Sequence, residues 1–366
     1  MFAKYFSKRV SSLFAIALWS AAAVAVVPGG RVCAQSTTPE STGLRASDSY
    51  KGKTLSEWTA ELKDRDLSVR EQAVAAIKVY GSAARSAAPL IIRLMDDSDI
   101  SLRVNAVITC GYIGLDQRDL GQAVTVLSRL LGHPQGIIRY QAARTLGQLG
   151  PSAVTALGPL LQNLRDPSTW EIRSAAAFAI GNVAYNEQQG ADSRVMHSLL
   201  EALQTDRSVA VRLEVLYSLI QLGRPAQNID RLNELQILQG IVNGKQQRET
   251  VPIWARVAIM RVDDAGVSEG HLLAIAKSLK SPDMQARVHA ARALATIGYG
   301  AKSRVADLAD ALNDKEPEVT VWACAALSTM REAAKPAASK LKELKQHTND
   351  AVRRAAEQAL VALNIP

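Results

Sequence analysis

The chain has 366 residues, of which 48% are hydrophobic and only 5% aromatic, and its formal net charge at pH 7 is +8. Its apolar residues are mostly Ala, Leu, Val and Ile, and no long stretch alternates β-branched and polar residues, which argues against a sheet protein and favours closely packed helices. A chain of this length forms either two or three ordinary domains or one elongated array of repeats.

The first 34 residues are predicted to be a secretory signal peptide. Three cations near the start precede an apolar run over about 13–27, and small residues at 32–34 form a cleavage signal. An uncleaved membrane anchor is the alternative, although the run is short for a bilayer span of roughly 20 residues. Lipidation of Cys33 is a weaker alternative, because Arg31 and Val32 give it a poor lipidation context. We therefore expect a secreted or periplasmic protein, or one anchored to a membrane at its N-terminus.

Cleavage would remove four cations and no acid, so that the net charge would fall from +8 to +4. A charge of that size is weak evidence for nucleic-acid binding, and a secreted protein rarely meets nucleic acid. The mature chain would keep Cys110 and Cys324, which lie far apart in apolar helical stretches. We expect two buried thiols here in place of a disulfide.

Residues 35–53 are polar and rich in Ser and Thr, and they are predicted to be a flexible leader before the folded part. The folded part is predicted over 54–366 as one continuous domain, because no later segment has the composition of a linker.

One sequence pattern recurs along the folded part. The segments 66–81 (DLSVREQAVAAIKVYG), 99–114 (DISLRVNAVITCGYIG) and 283–298 (DMQARVHAARALATIG) each have an acidic residue, an arginine four positions later, and an apolar run that ends in glycine. The aligned arginines are Arg70, Arg103, Arg139, Arg173, Arg212, Arg256, Arg287 and Arg353, with Trp322 at the place of the eighth in order. Their spacing of 31 to 44 residues, with helical periodicity inside each repeat, predicts a solenoid of helix pairs.

Each repeat is predicted to contain two helices. Segments such as 82–97 and 151–166 form the first helix, which Pro89 and Pro159 bend or start, and the recurring pattern forms the second. The glycines that end the second helices are Gly81, Gly114, Gly150, Gly223 and Gly298. Counting from Thr54 predicts nine pairs, with the loosest fit over 185–264.

The repeats resemble HEAT repeats, including the HEAT-like repeats of bilin lyases. The resemblance covers essentially all of 54–366 and rests on the repeated Asp-x-x-x-Arg pattern, the Ala-rich run and the final glycine. It implies an all-α fold, a right-handed α-solenoid of about nine helix pairs. It also implies that each aligned arginine pairs with an Asp of an adjacent repeat, which would form a ladder.

The residue before each second helix is predicted to be an N-cap, since its oxygen can accept backbone N–H bonds and a negative charge suits the helix dipole. These residues are Asp66, Asp99, Thr169, Ser208 and Asp283. We interpret the caps and arginines as structural, because a catalytic residue is needed once whereas this pair recurs in almost every repeat.

The sequence offers no candidate catalytic or metal-binding residue and predicts no cofactor. The five histidines, at 133, 197, 271, 289 and 347, lie in different repeats, so no two of them have the spacing by which one helix binds a metal ion. Some HEAT-like proteins are di-iron hydroxylases that use His-Glu dipeptides, and this sequence has none. Residues 298–303 lack the spacing of a phosphate-binding loop, and neither cysteine has a local histidine partner. His289 lies within reach of Arg292 and is interpreted as a lone surface histidine.

Solenoids of this kind bind partners along the concave surface that their second helices form. Positions two, five and nine after the reference arginine share a helix face, and Arg and aromatic side chains there are of the types enriched in binding hot spots. The predicted protein or peptide contacts are Tyr112, Arg144, Phe178, Tyr217, Arg261 and Arg292. The alternative, that several of them only pack against neighbouring repeats, is left open.

Trp170 and Trp254 are interpreted as side chains that fill gaps between helix ends. His289, Arg292 and Thr296 are interpreted as the variable positions of their repeat, which carry function.

Together these features predict a monomeric, non-catalytic scaffold or interaction module that binds a protein or peptide, without nucleic acid and without membrane insertion once the leader is removed. A lyase or another enzyme built on the same frame is the alternative.

Overall fold

A computed structural model describes residues 44–185, 192–225, 228–244 and 249–365. The predicted signal peptide lies outside these residues, so its cleavage stays a prediction. The end of the predicted polar leader is folded, which differs from the expectation of a flexible segment: Ser49–Tyr50 (β1) pairs antiparallel with Lys53–Thr54 (β2). This small hairpin is held by Trp58 Nε1, which donates to Tyr50 O at 3.0 Å, because a buried indole N–H needs an acceptor.

The folded chain divides into two compact units, where the sequence predicts one continuous domain. Unit 1 extends over the described residues up to Val183, and unit 2 over the described residues from Ala184. The helices of unit 1 are α1 (Leu55–Glu61), α2 (Leu67–Tyr80), α3 (Ala88–Leu94), α4 (Ile100–Cys110), α5 (Gln117–Leu130), α6 (Gly136–Leu149), α7 (Leu157–Asn163) and α8 (Trp170–Val183).

The helices of unit 2 are α9 (Ser193–Thr205), α10 (Val209–Leu222), α11 (Asn228–Asn243), α12 (Thr250–Val262), α13 (Glu269–Lys277), α14 (Met284–Ile297), α15 (Val305–Ala311), α16 (Pro317–Thr329), α17 (Ala338–Glu343) and α18 (Asp350–Ala362). Taken in order, the described helices of both units form nine pairs, each with a first and a second helix, as the repeat pattern predicts. The fold is therefore all-α apart from the small hairpin near the start.

Several first helices are short because a 3-10 turn precedes them. The 3-10 segments that precede first helices are Gly81–Ala87, Gly150–Ala156, Gly298–Arg304 and Arg331–Ala337, whereas Ser278–Lys280 and Leu344–Gln346 follow α13 and α17. Within Gly81–Ala87, Ala84 has non-helical dihedral angles (φ −87°, ψ 20°), which kink the segment. Pro89 stands at the start of α3, where its missing N–H costs nothing.

The second helices begin and end largely as the pattern predicts. Asp66, Asp99 and Asp283 are N-caps whose carboxylates accept backbone N–H bonds at 2.8–2.9 Å. Ser208 occupies the predicted N-cap position of α10, but its hydroxyl accepts no backbone N–H bond there, so that part of the prediction is wrong. The glycines after α2, α6, α10 and α14 have φ between 54° and 71°, which a glycine adopts most easily. Gly114 is different, because α4 ends earlier, at Cys110 with Gly111 as the C-cap.

Three of the aligned arginines form ion pairs with aspartates of neighbouring repeats. Arg70 Nη2 lies 3.4 Å from Asp97 Oδ2, and Arg139 Nε donates to Asp166 Oδ2 at 2.9 Å. In unit 2, Arg287 binds both carboxylate oxygens of Asp314, at 2.7 and 3.1 Å, and is only 6% exposed. These pairs join one repeat to the next.

Arg103 departs from this ladder because His133 stands where its aspartate partner would be. The guanidinium Nη1 lies 2.6 Å from His133 Nε2, while Nδ1 of the same ring accepts from Gln135 N at 3.1 Å. A neutral imidazole has one acceptor nitrogen and therefore cannot satisfy both donors, as a carboxylate can. Protonation would make the conflict worse, since an imidazolium has no acceptor nitrogen, and accordingly burial and the charge of Arg103 lower the pKa of His133.

Two aligned positions are misplaced in the sequence alignment. The ladder arginines are fourth in their helices, but Thr320 is fourth in α16, and its hydroxyl donates to Asp314 O at 3.5 Å. Trp322 therefore does not replace a ladder arginine. Arg256 is seventh in α12, and its Nη1 lies 3.2 Å from His271 Nδ1. Arg173 and Arg212 keep the fourth position in α8 and α10.

Small residues allow the second helices of unit 1 to approach closely. Alanines of α6 and α8 are 0–2% exposed, and a Cβ added to Gly147 would lie 2.6 Å from Phe178 Cε1. A larger side chain at Gly147 would push the two helices apart. Within the described part of the chain, no helix is long and apolar enough to cross a membrane.

Candidate functional site

The second helices of unit 2 bring aromatic and basic side chains into one cluster. Tyr217 comes from α10, Trp254 from α12, His289 and Arg292 from α14, and Trp322 from α16. We call these five residues the Arg292 cluster. Since His289 and Arg292 are three residues apart on one helix, their side chains share a face.

Three aromatic rings surround the guanidinium of Arg292. Its Cζ lies 5.1 Å from the centroid of the Tyr217 ring, 5.7 Å from that of Trp254 and 5.4 Å from that of Trp322. Each distance is within the range of a cation–π contact, which stabilises a cation by roughly 0.5–1 kcal/mol at exposed sites and more where water is excluded. The Arg292 side chain is half-buried, and the three rings limit the orientations open to its guanidinium.

The deeper side of the cluster is fixed by Trp254, which is 2% exposed. Its ring meets Tyr217 edge to face, with centroids 4.6 Å apart and planes at 85°, a favoured geometry for aromatic pairs. Its Nε1 donates to His289 Nδ1 at 2.8 Å, which puts the proton of the neutral imidazole on Nε2. Burial and the nearby charge of Arg292 lower the pKa of His289 to about 4, so the ring is neutral at pH 7.

Tyr217 is kept as a neutral phenol. Burial raises its pKa, and its hydroxyl lies 3.5 Å from Nδ1 of His289. The lone pair of that nitrogen already accepts the indole N–H, so His289 is a poor general base at neutral pH.

Among the residues that the structure describes, no carboxylate lies within 4.0 Å of the Arg292 guanidinium, and none of its N–H groups has a hydrogen-bond partner. Arg287, five residues earlier on α14, is instead bound by both oxygens of Asp314. The two arginines of this helix thus have different environments: Arg287 forms an ion pair with Asp314, and Arg292 lies among aromatic rings.

Unit 1 has simpler contacts of the same kind between its second helices. The Cζ of Arg144 on α6 lies 4.2 Å from the centroid of the Phe178 ring on α8, and Nζ of Lys78 on α2 lies 5.0 Å from that of Tyr112. Each of these cations faces a single ring. The Arg292 cluster is therefore the most elaborate of the three cation–aromatic arrangements on the described second helices.

Two segments of the chain, 87–181 and 271–361, match a family model described as HEAT repeats, one segment in each unit. Together they cover just over half of the chain. The chain belongs to the HEAT-repeat family. This finding agrees with the resemblance and with the observed helix pairs.

Other similarities are more distant. A curated relative, "uncharacterized phycocyanin operon protein Z" from Pseudanabaena tenuis, is 27% identical over 212 residues, which cover 56% of this chain and 92% of the relative. The complex of CpcE and CpcF of phycocyanin lyase from Nostoc sp. PCC7120 is a similar solved structure, with 22% identity, a TM-score of 0.48, and coverage of 75% of this chain and 94% of that one. An engineered protein gives 19% identity and a TM-score of 0.42, with coverage of 85% and 88%.

The six residues predicted to contact a partner lie three in each unit. Tyr112, Arg144 and Phe178 belong to unit 1, where the first is stacked by a lysine and the other two contact each other. Tyr217 and Arg292 meet in the Arg292 cluster. The sixth predicted contact, at position 261, is an exposed arginine on α12. Whether these residues bind a partner stays a prediction.

Three members of the cluster were missed or misread in the sequence. His289 is not a lone surface histidine, because Trp254 donates to it and burial keeps it neutral. Trp254 fills a gap between helices as expected, but it also forms a wall of the cluster. Trp322 could have been found by aligning on helix starts, since it and His289 are both sixth in their helices.

The described chain offers little for nucleophilic or metal chemistry. Cys110 and Cys324 are free and buried, and burial raises the pKa of each thiol to about 12, so neither is a thiolate at neutral pH. In the described ranges, no three His, Cys, Asp or Glu side chains are grouped so that they could hold a metal ion.

Proposed function

We propose that this HEAT-repeat protein is a non-catalytic interaction module that binds a protein segment on the second-helix face of unit 2, with the Arg292 cluster as its anchor. The observation that carries the proposal is the Arg292 guanidinium, which lies among three aromatic rings and has no carboxylate partner among the described residues. Arg, Trp and Tyr are the residues most enriched in binding hot spots.

Preorganisation supports this interpretation. An exposed arginine loses roughly 0.5–1.5 kcal/mol of side-chain entropy when a partner immobilises it, and the rings around Arg292 have already restricted it. A half-buried cation also strengthens its interaction with an incoming anion, because water screens it less than it screens a fully exposed charge. The cluster therefore combines apolar contact area with one directed charge.

A random dodecapeptide display library, selected on the full chain, tests the proposal. We expect enriched peptides whose affinity, measured by fluorescence polarisation, falls about 10-fold or more in Arg292→Ala and in Trp322→Ala, as truncation of a hot spot requires. The matched control is Arg354→Ala, since Arg354 is exposed and its one ion-pair partner among the described residues is Asp350 on its own helix. Peptides that bind both variants as tightly as the original protein would place the binding surface elsewhere.

A second candidate is the handling of a linear tetrapyrrole pigment. It is favoured by the relative from a phycocyanin operon, most of whose length the match covers. The aromatic walls of the Arg292 cluster could stack on a conjugated ring system. Purified protein mixed with a bilin should then show a red-shifted or sharpened absorption band that Trp322→Ala removes, and an unchanged spectrum would argue against this candidate.

The location of the protein is part of the proposal. Small residues at 32–34 before Gln35 favour export followed by cleavage. Protein isolated from the envelope fraction of its native host should begin at Gln35 by N-terminal sequencing. A chain that keeps its first 34 residues and pellets with membranes would support the N-terminal anchor.

A further inference from the structure

We propose that the Arg292 cluster is a receptor for one carboxylate, which an extended segment of the partner presents as a Glu or Asp side chain. This inference rests on the proposed function and names the chemical group that the site recognises. Three steps lead to it: the site offers donors, its walls are apolar, and its surroundings carry too little positive charge for a polyanion.

The polar groups left available in the cluster are donors. Because Nδ1 of His289 accepts the indole N–H of Trp254, the imidazole has only its Nε2–H to offer. The guanidinium of Arg292 is donor-only by its chemistry. Among the described residues, neither the guanidinium nor His289 Nε2 has an acceptor. The Tyr217 hydroxyl can donate as well as accept, so each of these three groups carries a donor. An acceptor-only group matches them, and an ionised carboxylate is one.

The aromatic walls determine how that group is bound. The rings of Tyr217, Trp254 and Trp322 lie 5.1–5.7 Å from the guanidinium carbon, and the Arg292 side chain stays partly exposed, so an oxygen pair from a partner can reach its N–H groups. A carboxylate can accept two parallel N–H bonds from a guanidinium, and the methylene groups of an acidic side chain can lie on the indole rings. A neutral amide would replace one accepting oxygen with a donor and lose part of this match.

The charge of the surroundings argues for a single negative charge. In addition to burial, Glu214 acts to raise the pKa of Tyr217. Asp283 likewise acts to raise the pKa of His289, although burial and the charge of Arg292 lower that pKa by more. The site thus has one guanidinium at its centre and two carboxylates in electrostatic reach. A phosphate dianion or a nucleic acid would meet more repulsion here than a lone carboxylate does.

Sodium acetate is the first probe, used on the full isotope-labelled chain by NMR at constant ionic strength. We expect acetate to shift the indole N–H signals of Trp254 and Trp322 and the Nε–H signal of Arg292 with a saturable dependence that chloride does not reproduce. The indole shifts should disappear in Arg292→Gln and persist in Arg354→Gln. Equal shifts with chloride, shifts that survive Arg292→Gln, or a stronger response to inorganic phosphate would each overturn the inference.

A selected dodecapeptide that needs Arg292 is the second probe. Replacing its acidic residue with Gln or Asn should weaken binding to the original protein about 10-fold and binding to Arg292→Gln less than about 2-fold. These four affinities form a double-mutant cycle, which isolates the interaction between Arg292 and the peptide carboxylate. If the amide peptide binds as well as the acidic one, the carboxylate inference is wrong and the docking proposal stands. If no peptide depends on the cluster, the docking proposal fails and the acetate titration still decides the inference.

Discussion

Replacing Arg287 with Ala tests whether the ladder is structural. The guanidinium is 6% exposed, binds both oxygens of Asp314, and also donates to Ser281 O at 3.0 Å. The substitution leaves the Asp314 carboxylate, which is 10% exposed, without its cation. Breaking a buried pair on one side costs about 3–5 kcal/mol, because the remaining charge stays desolvated.

The expected change in the melting temperature follows from the size of the unit. For a domain of about 150–250 residues, 1 kcal/mol shifts the Tm by roughly 2–4 °C, so Arg287→Ala should lower the Tm of unit 2 by about 6–20 °C. Differential scanning calorimetry resolves a change of this size. The double variant Arg287→Ala, Asp314→Ala should recover part of the loss, since it removes the unpaired charge.

The pH dependence provides an independent check. Although burial opposes its ionisation, hydrogen bonds from the Arg287 side chain and from the backbone N–H of Glu316 hold the pKa of Asp314 below its ordinary value. A carboxyl with a depressed folded-state pKa stabilises the protein above its unfolded pKa, and this contribution is lost as the pH falls through the folded value. In Arg287→Ala the loss should begin at higher pH. A Tm change no larger than that of Arg354→Ala, with no recovery in the double variant, would refute the structural role.

Three further substitutions have defined outcomes. His133→Asp should raise the Tm of unit 1, by the equivalent of about 1 kcal/mol, because a carboxylate can accept from Arg103 and from the turn backbone together. Gly147→Ala should destabilise the protein by about 1–3 kcal/mol, since its Cβ would lie 2.6 Å from a neighbouring ring, whereas Gly158→Ala, which meets nothing within 4 Å in helix α7, should be neutral or stabilising. Burial holds the pKa of His289 at about 4, below its ordinary 6.5, so its contribution to stability should be lost as the pH falls from about 6.5 to 4, and His289→Phe should flatten that part of a denaturation series.

The local sequence determines much of this fold because its signals are short in range. The Asp at the start, the arginine fourth in the helix and the glycine at the end act within one or two turns, so each repeat reveals its own second helix. The register fails where these signals are absent. In α16 Pro317 begins the helix and Thr320 takes the arginine position, and alignment on arginines therefore misplaced Trp322.

The sequence by itself determined the helix pairs, the aspartate caps and most of the positions of the ladder arginines, since those depend on residues close together in the chain. Only the tertiary structure decided that Arg287 and Arg292, on one helix, have different roles: the first meets the buried carboxylate of Asp314, and the second meets rings from three other helices. The neutrality of His289 was decided in the same way, by Trp254 of a neighbouring repeat. Burial and partner charge are set by contacts between helices, and the pattern within one repeat does not contain them.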